Sequence, residues 1–281
     1  MTTEDDPVGD AGEVESVVNE CELIHATVGE HVNLVATVTI DRPDARNALN
    51  AQVRSELKSV LHAIEESDVR VVVLTGSEEA KAFIAGADID EFRDRDMLDQ
   101  REVSKRPRIY EVVDDFPLPV IGRLNGHALG GGFEVAQACD VRIAHERAKI
   151  GHPEINLGII PGGGGTQRLP RLVGEGHAMR LILSGELIDA EEAAEIGLVE
   201  DVCADVEELD ETVYGLARSM ATKSPVALEF AKTAVKASSR MDLEAGIAYE
   251  AELFASLFST DDKNEGVEAF FEDREPEWSG R

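Results

Sequence analysis

Two glutamates 20 positions apart occupy the stretches of this chain best suited to chemistry. Glu134 closes the segment NGHALGGGFE (125–134), and Glu154 closes GHPE (151–154). A run of three glycines costs backbone entropy on folding and buries no side chain. At a helix start such a run lets a ligand approach the backbone closely. The first N–H groups there have no intrahelical partner, and the helix dipole adds partial positive charge. That setting suits an anion, or an oxygen that becomes anionic during a reaction. Glu134 would then lie in the first turn beside the bound group. Alone, the stretch reads first as a glycine turn packed closely on a strand, with Glu134 an ordinary first-turn acid. Glu154 follows a proline in an otherwise apolar setting. Desolvation raises a carboxyl pKa, and a neighbouring ionised carboxylate raises it further.

Two further stretches bear on a site. KAFIAGADIDEF (81–92) places small residues at a strand-to-helix transition, where another free N–H can face a ligand. PGGGGT (161–166) lacks the GK[ST] ending of a phosphate loop and reads as a flexible pocket wall. His127 and His152 flank the two acidic segments and read as packing or pocket lining. The three cysteines, Cys21, Cys139 and Cys203, are far apart with no CxxC, which argues against a disulfide framework or zinc site. Free thiols in a reducing cytoplasm are the expectation.

The elements that must position these residues are legible in outline. LVATVTI (34–40) alternates as a half-buried strand, and Pro43 breaks the chain after it. Asn50 suits a helix N-cap, and Val53, Leu57, Val60, Leu61 and Ile64 mark one helical face. VRVVVLTG (69–76) is a β-branched run suited to a strand buried on both faces. PVIGRLNG (119–126) and DVRIAHE (140–146) are further strands, with a short helix between them that begins at the glycines. After Gly165 helices dominate. Ser224-Pro225 caps one whose apolar face carries Val226, Phe230, Ala231, Ala234 and Val235, and another runs over 241–258. The expected division is an acidic disordered tail over 1–20, an α/β core with the active site over 21–200, and a helical region over 201–281. That last region is too thin in apolar residues to bury its own surfaces, so it must dock on the core or on another subunit.

Asp and Glu number 57 against 27 Lys and Arg, a net charge of −30, and only 8 of the basic residues are lysines. Such an excess repels itself at ordinary salt and is screened at molar salt. A salt-rich host cytoplasm is the expectation. The same charge argues against nucleic acid or an anionic membrane as partner, because phosphate binding needs clustered cations. A basic signal and a membrane-spanning apolar run are both lacking in the sequence, which reads as cytoplasmic.

RPDARNALN, AFIAGADIDEF, NGHALGGGFEVAQACD, GHPEINLGIIPGGGGTQRLPRLVG and STDDKNEGVEAFFEDR follow one another between about residue 30 and residue 275. In that order they resemble the enoyl-CoA hydratase/isomerase family, the crotonases, and within it the hydratases. The resemblance implies a crotonase-like spiral of repeated ββα units with two roughly perpendicular sheets, plus a C-terminal helical region that builds homotrimers or homohexamers. It implies hydration of a trans-2-enoyl-CoA to a 3-hydroxyacyl-CoA, as in fatty-acid β-oxidation, with no metal and no cofactor beyond the coenzyme A carried by the substrate. The amides of Ala87 and Gly131 become the oxyanion hole for the thioester carbonyl. Glu134 becomes the base that accepts a proton from water, and Glu154 the acid that protonates the α-carbon. Ala45, Arg46, Ala85, Asp88, Ile89, Asp90 and Gly130 join Ala87 and Gly131 in binding the CoA thioester. Arg46 is either a phosphate contact or a surface arginine. Asp90 and Asp273 stand where many hydratases carry lysine, a departure that leaves phosphate neutralisation to other groups. The other readings are isomerisation or thioester hydrolysis by a related enzyme, and a non-catalytic RNA-binding or assembly subunit. The acid pair disfavours the assembly subunit, and the charge disfavours RNA.

Overall fold

A computed structural model describes residues 12–281. Among these residues ten strands form two sheets. The six-stranded sheet runs β1-β2-β3-β5-β7-β10: β1 (Ile24–Val28), β2 (Val35–Ile40), β3 (Val71–Gly76), β5 (Val120–Leu124), β7 (Val141–His145) and β10 (Asp201–Cys203). The four-stranded sheet runs β4-β6-β8-β9: β4 (Ala82–Ile84), β6 (His127–Leu129), β8 (Lys149–Gly151) and β9 (Leu187–Asp189). From β3 to β8 successive strands alternate between the sheets, which produces the spiral of ββα turns. All pairs are parallel except β1 with β2 and β8 with β9.

Every residue of β3 is buried, as its unbroken β-branched run requires. One face of the six-stranded sheet is covered by α2 (Ala51–Glu65), which buries Val53, Leu57, Val60, Leu61 and Ile64 as its periodicity predicts. Each such fully buried aliphatic side chain contributes about 1.5–3 kcal/mol relative to exposure. Asn50 caps this helix, its side chain accepting from the Val53 amide at 2.8 Å.

Two boundaries differ from expectation. Residues 1–11 of the supposed tail lie outside the described residues, but Gly12–Val18 form a helix, α1, that inserts Val14 into the core. The acidic composition hid that single apolar anchor. The break near residue 200 also moves. β10 pairs with β7, and α8 (Val206–Ala221) packs Leu209, Val213, Tyr214 and Ala217 on the second face of the six-stranded sheet. Buried Arg123 of β5 fixes this helix through Asp210, at 2.7 Å, and also pairs with Glu78 at 2.8 Å. The spiral therefore extends through α8, and the separate helical region begins at α9.

α3 (Met97–Val103) and α4 (Ile109–Asp114) follow β4; α5 (Gly131–Ala138), α6 (Gly165–Ser184) and α7 (Ala190–Glu195) follow β6, β8 and β9. The helical region comprises α9 (Pro225–Ala237), α10 (Leu243–Leu257) and α11 (Asp261–Glu272). Lys232 and Lys236 tie α9 to Asp140, at 2.7 and 3.1 Å. The apolar faces of these helices remain uncovered: Leu243, Phe270 and Phe271 are each more than four-fifths exposed. Among the described residues no helix is long and apolar enough to cross a membrane.

Candidate active site

Strands β4, β6 and β8 are parallel neighbours, so their C-terminal ends open on one edge. The chain leaving β4 carries Ala85–Ala87, that leaving β6 becomes α5, and that leaving β8 becomes a 3-10 turn (Pro153–Leu157). Ala87, Gly131 and the two glutamates reach this edge from three separate segments.

A single parallel bridge joins Ala87 to Leu49. Leu49 donates to the Gly86 carbonyl at 2.9 Å and accepts from the Asp88 amide at 3.0 Å. This pattern turns the amide of Ala87 itself away from Leu49, toward α5. Gly131 is the first residue of α5, so its amide has no intrahelical acceptor. Among the described residues neither amide donates a hydrogen bond to another protein group.

Each of the three glycines has its own duty. Gly130 holds φ at +49°, turning the chain from β6 into α5. Gly131 lies against Ala87: a methyl group there would stand 3.4 Å from the Ala87 nitrogen. Gly132 packs so tightly on the Ile84 carbonyl that no methyl group fits. The sequence left a packing turn and an anion site as alternatives; the packing is observed, and the amides of Ala87 and Gly131 stay free of protein acceptors among the described residues.

Glu134 follows Gly131 by three positions and so shares its helical face. It is 2% exposed. Its Oε1 accepts from the amides of Gly163 and Gly165, at 2.6 and 2.8 Å. Burial pushes its carboxyl up from the usual range; the Gly165 and Gly163 amides and His152 oppose that, while Glu154 adds to it. The sequence singled out Glu154 as desolvated; Glu134 is buried more deeply still, because the glycine loop folds over it. PGGGGT is therefore more than a wall: it supplies the donors that hold the first acid.

Glu154 reaches the site from the turn after β8. Both of its carboxylate oxygens are buried without a hydrogen-bond partner among the described residues. His152 Nδ1 lies 3.5 Å from Oε1 without forming a hydrogen bond, and its Nε2 sits 3.0 Å from Gln137 Nε2. His152 is fully buried and packs on Phe133, whereas half-buried His127 accepts from the Lys149 amide at 3.1 Å. His152 packs beside the acids, whereas His127 begins β6, at the opposite end of that strand from the glycine run.

The residues expected at the coenzyme end gather along one rim. The Arg46 carbonyl accepts from the Ala85 amide at 3.1 Å, which pins the turn containing Ala45 and Arg46 beside the exit of β4. Arg46 is exposed, as are Ile89 and Asp90. The Asp88 carboxylate is already engaged: Arg42, 2.8 Å away, holds it below the usual range, and it accepts from the Asp90 amide. Asp90 pairs with Arg93 at 3.1 Å. Asp273 ends α11 in a left-handed conformation.

Sequence reasoning missed Tyr110 and Arg108. RPRIY carries no glycine, acid or cysteine signal, and only the fold brings it to the site. Tyr110 Oη lies 3.1 Å from where a Gly131 methyl would stand, and its ring presses on Gly163. Burial, and then the Glu134 charge, push its phenol up. Among the described residues no three His, Cys, Asp or Glu side chains gather as metal ligands.

Comparison with known proteins accords with this geometry. A family profile described as enoyl-CoA hydratase/isomerase matches residues 30–281. The short-chain-enoyl-CoA hydratase of Clostridium acetobutylicum is 42% identical over 245 residues, covering 86% of this chain and 93% of that protein. The 2,3-dehydroadipyl-CoA hydratase of Escherichia coli is 43% identical over 248 residues, 88% of this chain and 96% of its own length. A crystal structure of enoyl-CoA hydratase from Bacillus anthracis superposes with a TM-score of 0.85 at 39% identity, covering 92% of this chain and all of that one.

Proposed function

The chain belongs to the enoyl-CoA hydratase/isomerase family, and from that premise we infer that it adds water across the double bond of a trans-2-enoyl-CoA to give a 3-hydroxyacyl-CoA. The single observation that carries the reading is the asymmetry of the two acids. Glu134 accepts two amide hydrogen bonds, whereas Glu154 has both oxygens buried and without a partner among the described residues.

Conjugation with a thioester lets negative charge spread onto the carbonyl oxygen as water attacks the β-carbon. The Ala87 and Gly131 amides take that oxygen. Loss of one such donor typically costs about 2.7–4 kcal/mol of barrier. The two amide donors on Glu134 favour its anion against the effect of burial. It orients the water and accepts its proton. Glu154, with no donor to it among the described residues, carries the proton that goes to the α-carbon. Coenzyme A arrives with the substrate, and exposed Arg46 is our candidate to meet its phosphates, with Asp88 and Asp90 occupied by arginines.

We read the assembly as a homotrimer or homohexamer built through the uncovered faces of α9, α10 and α11, and the location as a salt-rich cytoplasm. Sedimentation of Leu243→Glu against the parent chain tests the first: an unchanged mass removes that interface.

Hydration is tested by following loss of enoyl-thioester absorbance with crotonyl-CoA in molar KCl. Formation of the 3-hydroxyacyl product is the expected result. Folded protein that only shifts the double bond, or only releases free coenzyme A, would place the chain with the isomerases or hydrolases of the family.

A further inference from the structure

The Gly162–Gly163 peptide group has a charged partner on one side and Glu134 on the other. Its N–H, from Gly163, donates to Glu134 Oε1 at 2.6 Å. Its carbonyl oxygen, from Gly162, accepts from Arg108 Nη1. We propose that Arg108 is a positioning residue for Glu134, acting through this one peptide plane to aim and polarise the amide that holds the carboxylate. The proposal rests on the reading of Glu134 as an acid–base group.

The guanidinium is itself fixed. Arg108 precedes α4, and its Nε and Nη2 bind Glu111 at 3.1 and 2.5 Å. Buried Glu111 also accepts from the Arg108 amide at 2.8 Å. The guanidinium carbon stands 5.5 Å from the centre of the Tyr110 ring, and that ring presses on Gly163. Two ends of one side chain are thus held while a third N–H grips the loop. A planar guanidinium does this, and a lysine ammonium on a flexible stem does it less well. The next carbonyl of the loop, from Gly163, accepts from Arg168 Nη1 at 3.0 Å. Arg168 therefore steadies the loop, but its peptide plane ends at the amide of Gly164, which does not face Glu134.

A donor on a peptide oxygen draws electron density from the N–H of the same unit, and hydrogen bonds in a chain strengthen one another. The effect favours the ionised form of Glu134. It is small beside burial, yet it is supplied at the atom that must accept a proton. The charged and titratable groups facing Glu134 are Tyr110 and Arg108 from α4 and its cap, and His152 and Glu154 from the turn after β8. Removing Arg108 leaves the other three in place.

The test is Arg108→Met, Arg108→Lys and Arg108→Gln in the full-length protein, with crotonyl-CoA hydration measured against pH. Arg108→Met is expected to lower kcat by about tenfold with KM within about twofold, since the loss falls on orientation of a reacting group. The acid limb of kcat/KM should move to higher pH. Arg108→Lys should recover most of both effects. Where Arg108→Met does not fold, Arg108→Gln reads the same acid limb. In a Glu134→Gln background Arg108→Met should change the residual rate by less than about twofold, because coupled residues do not add. An unmoved acid limb in Arg108→Met, or an equal loss in the Glu134→Gln background, overturns the proposal. Near-native activity of Glu134→Gln alone overturns the underlying site reading instead, so the two failures are distinct.

Discussion

Gly130 and Glu154 meet across the site: a methyl group built on Gly130 would stand 3.0 Å from Glu154 Oε1, and Gly130 holds φ at +49°. The residue that turns the chain into α5 also sets how near the second acid comes. Gly130→Ala should therefore do two things. This positive φ, paired with a ψ of −124°, costs a non-glycine residue about 1–3 kcal/mol, which lowers the melting temperature by several degrees. The methyl group also presses on Glu154, so kcat should fall by more than the stability loss explains. Steady-state kinetics well below the melting transition decide this, and an unchanged kcat contradicts the contact.

Glu134→Gln should trade activity for stability. An acid–base partner typically contributes ~10²–10⁴-fold, and either glutamate replaced by glutamine should lose that much of crotonyl-CoA hydration. In Glu134→Gln the new side-chain amide oxygen still accepts from Gly163 and Gly165. The native carboxyl of Glu134 titrates above its unfolded value, so the folded state binds the extra proton. Stability from this group is complete below the ordinary glutamate range and is lost as pH rises through the raised value. The variant escapes that loss. Its melting temperature should match the parent's in acid and exceed it near neutrality; a parent that is more stable at neutral pH refutes the assignment.

Side chains with local duties were legible in the sequence. Asn50 announced its cap, the α2 face its periodicity, and the acids their proline and glycine settings. What one segment does to another was not legible. No local pattern says that PGGGGT donates to Glu134, or that Arg108 grips the carbonyl of Gly162. Those contacts form only when β4, β6 and β8 are laid side by side. The apolar neighbours of Glu154 are visible in the sequence, whereas burial of Glu134 comes from a loop some 30 residues away in the chain. Val14 and α8 were misread for a related reason: acidic surfaces dominate their composition, and only a few apolar side chains reach the core.

Neighbouring glycines should fail differently. In Gly132→Ala the methyl group collides with the backbone of Ile84, which cannot yield, so α5 separates from β4 and soluble folded protein should be lost. In Gly131→Ala the nearest atoms are Tyr110 Oη at 3.1 Å and the Ala87 nitrogen at 3.4 Å. The hydroxyl can shift, so the fold should survive with a melting temperature close to the parent's. The methyl group still crowds the space where the thioester oxygen must sit between two amides. A kcat loss of ~10²–10³ is expected, the range for one oxyanion donor. Circular dichroism beside kinetics separates the two; equal folding of both variants contradicts the packing described for Gly132.

Salt should stabilise this protein. Acids exceed bases by 30 over 281 residues. At about 0.01 M salt the screening length is ~30 Å, so repulsion acts across the whole molecule, while at 1 M it is ~3 Å and acts only between touching groups. Salt also weakens surface ion pairs such as Arg93–Asp90, but exposed pairs contribute only ~0–1 kcal/mol each. The enclosed set of Arg123, Glu78 and Asp210 is screened less, because Arg123 is buried. Relief of repulsion therefore outweighs the loss of pairs, and the melting temperature should climb by several degrees as KCl rises from tens of millimolar to molar. Binding should follow the same course. Substrate phosphates approach an acid-rich surface on which Asp88 and Asp90 already occupy nearby arginines. KM for crotonyl-CoA should accordingly fall over the same range, whereas a site lined by free cations would show KM rising with salt. A melting temperature that declines toward molar KCl, with KM rising, would remove the halophilic reading altogether.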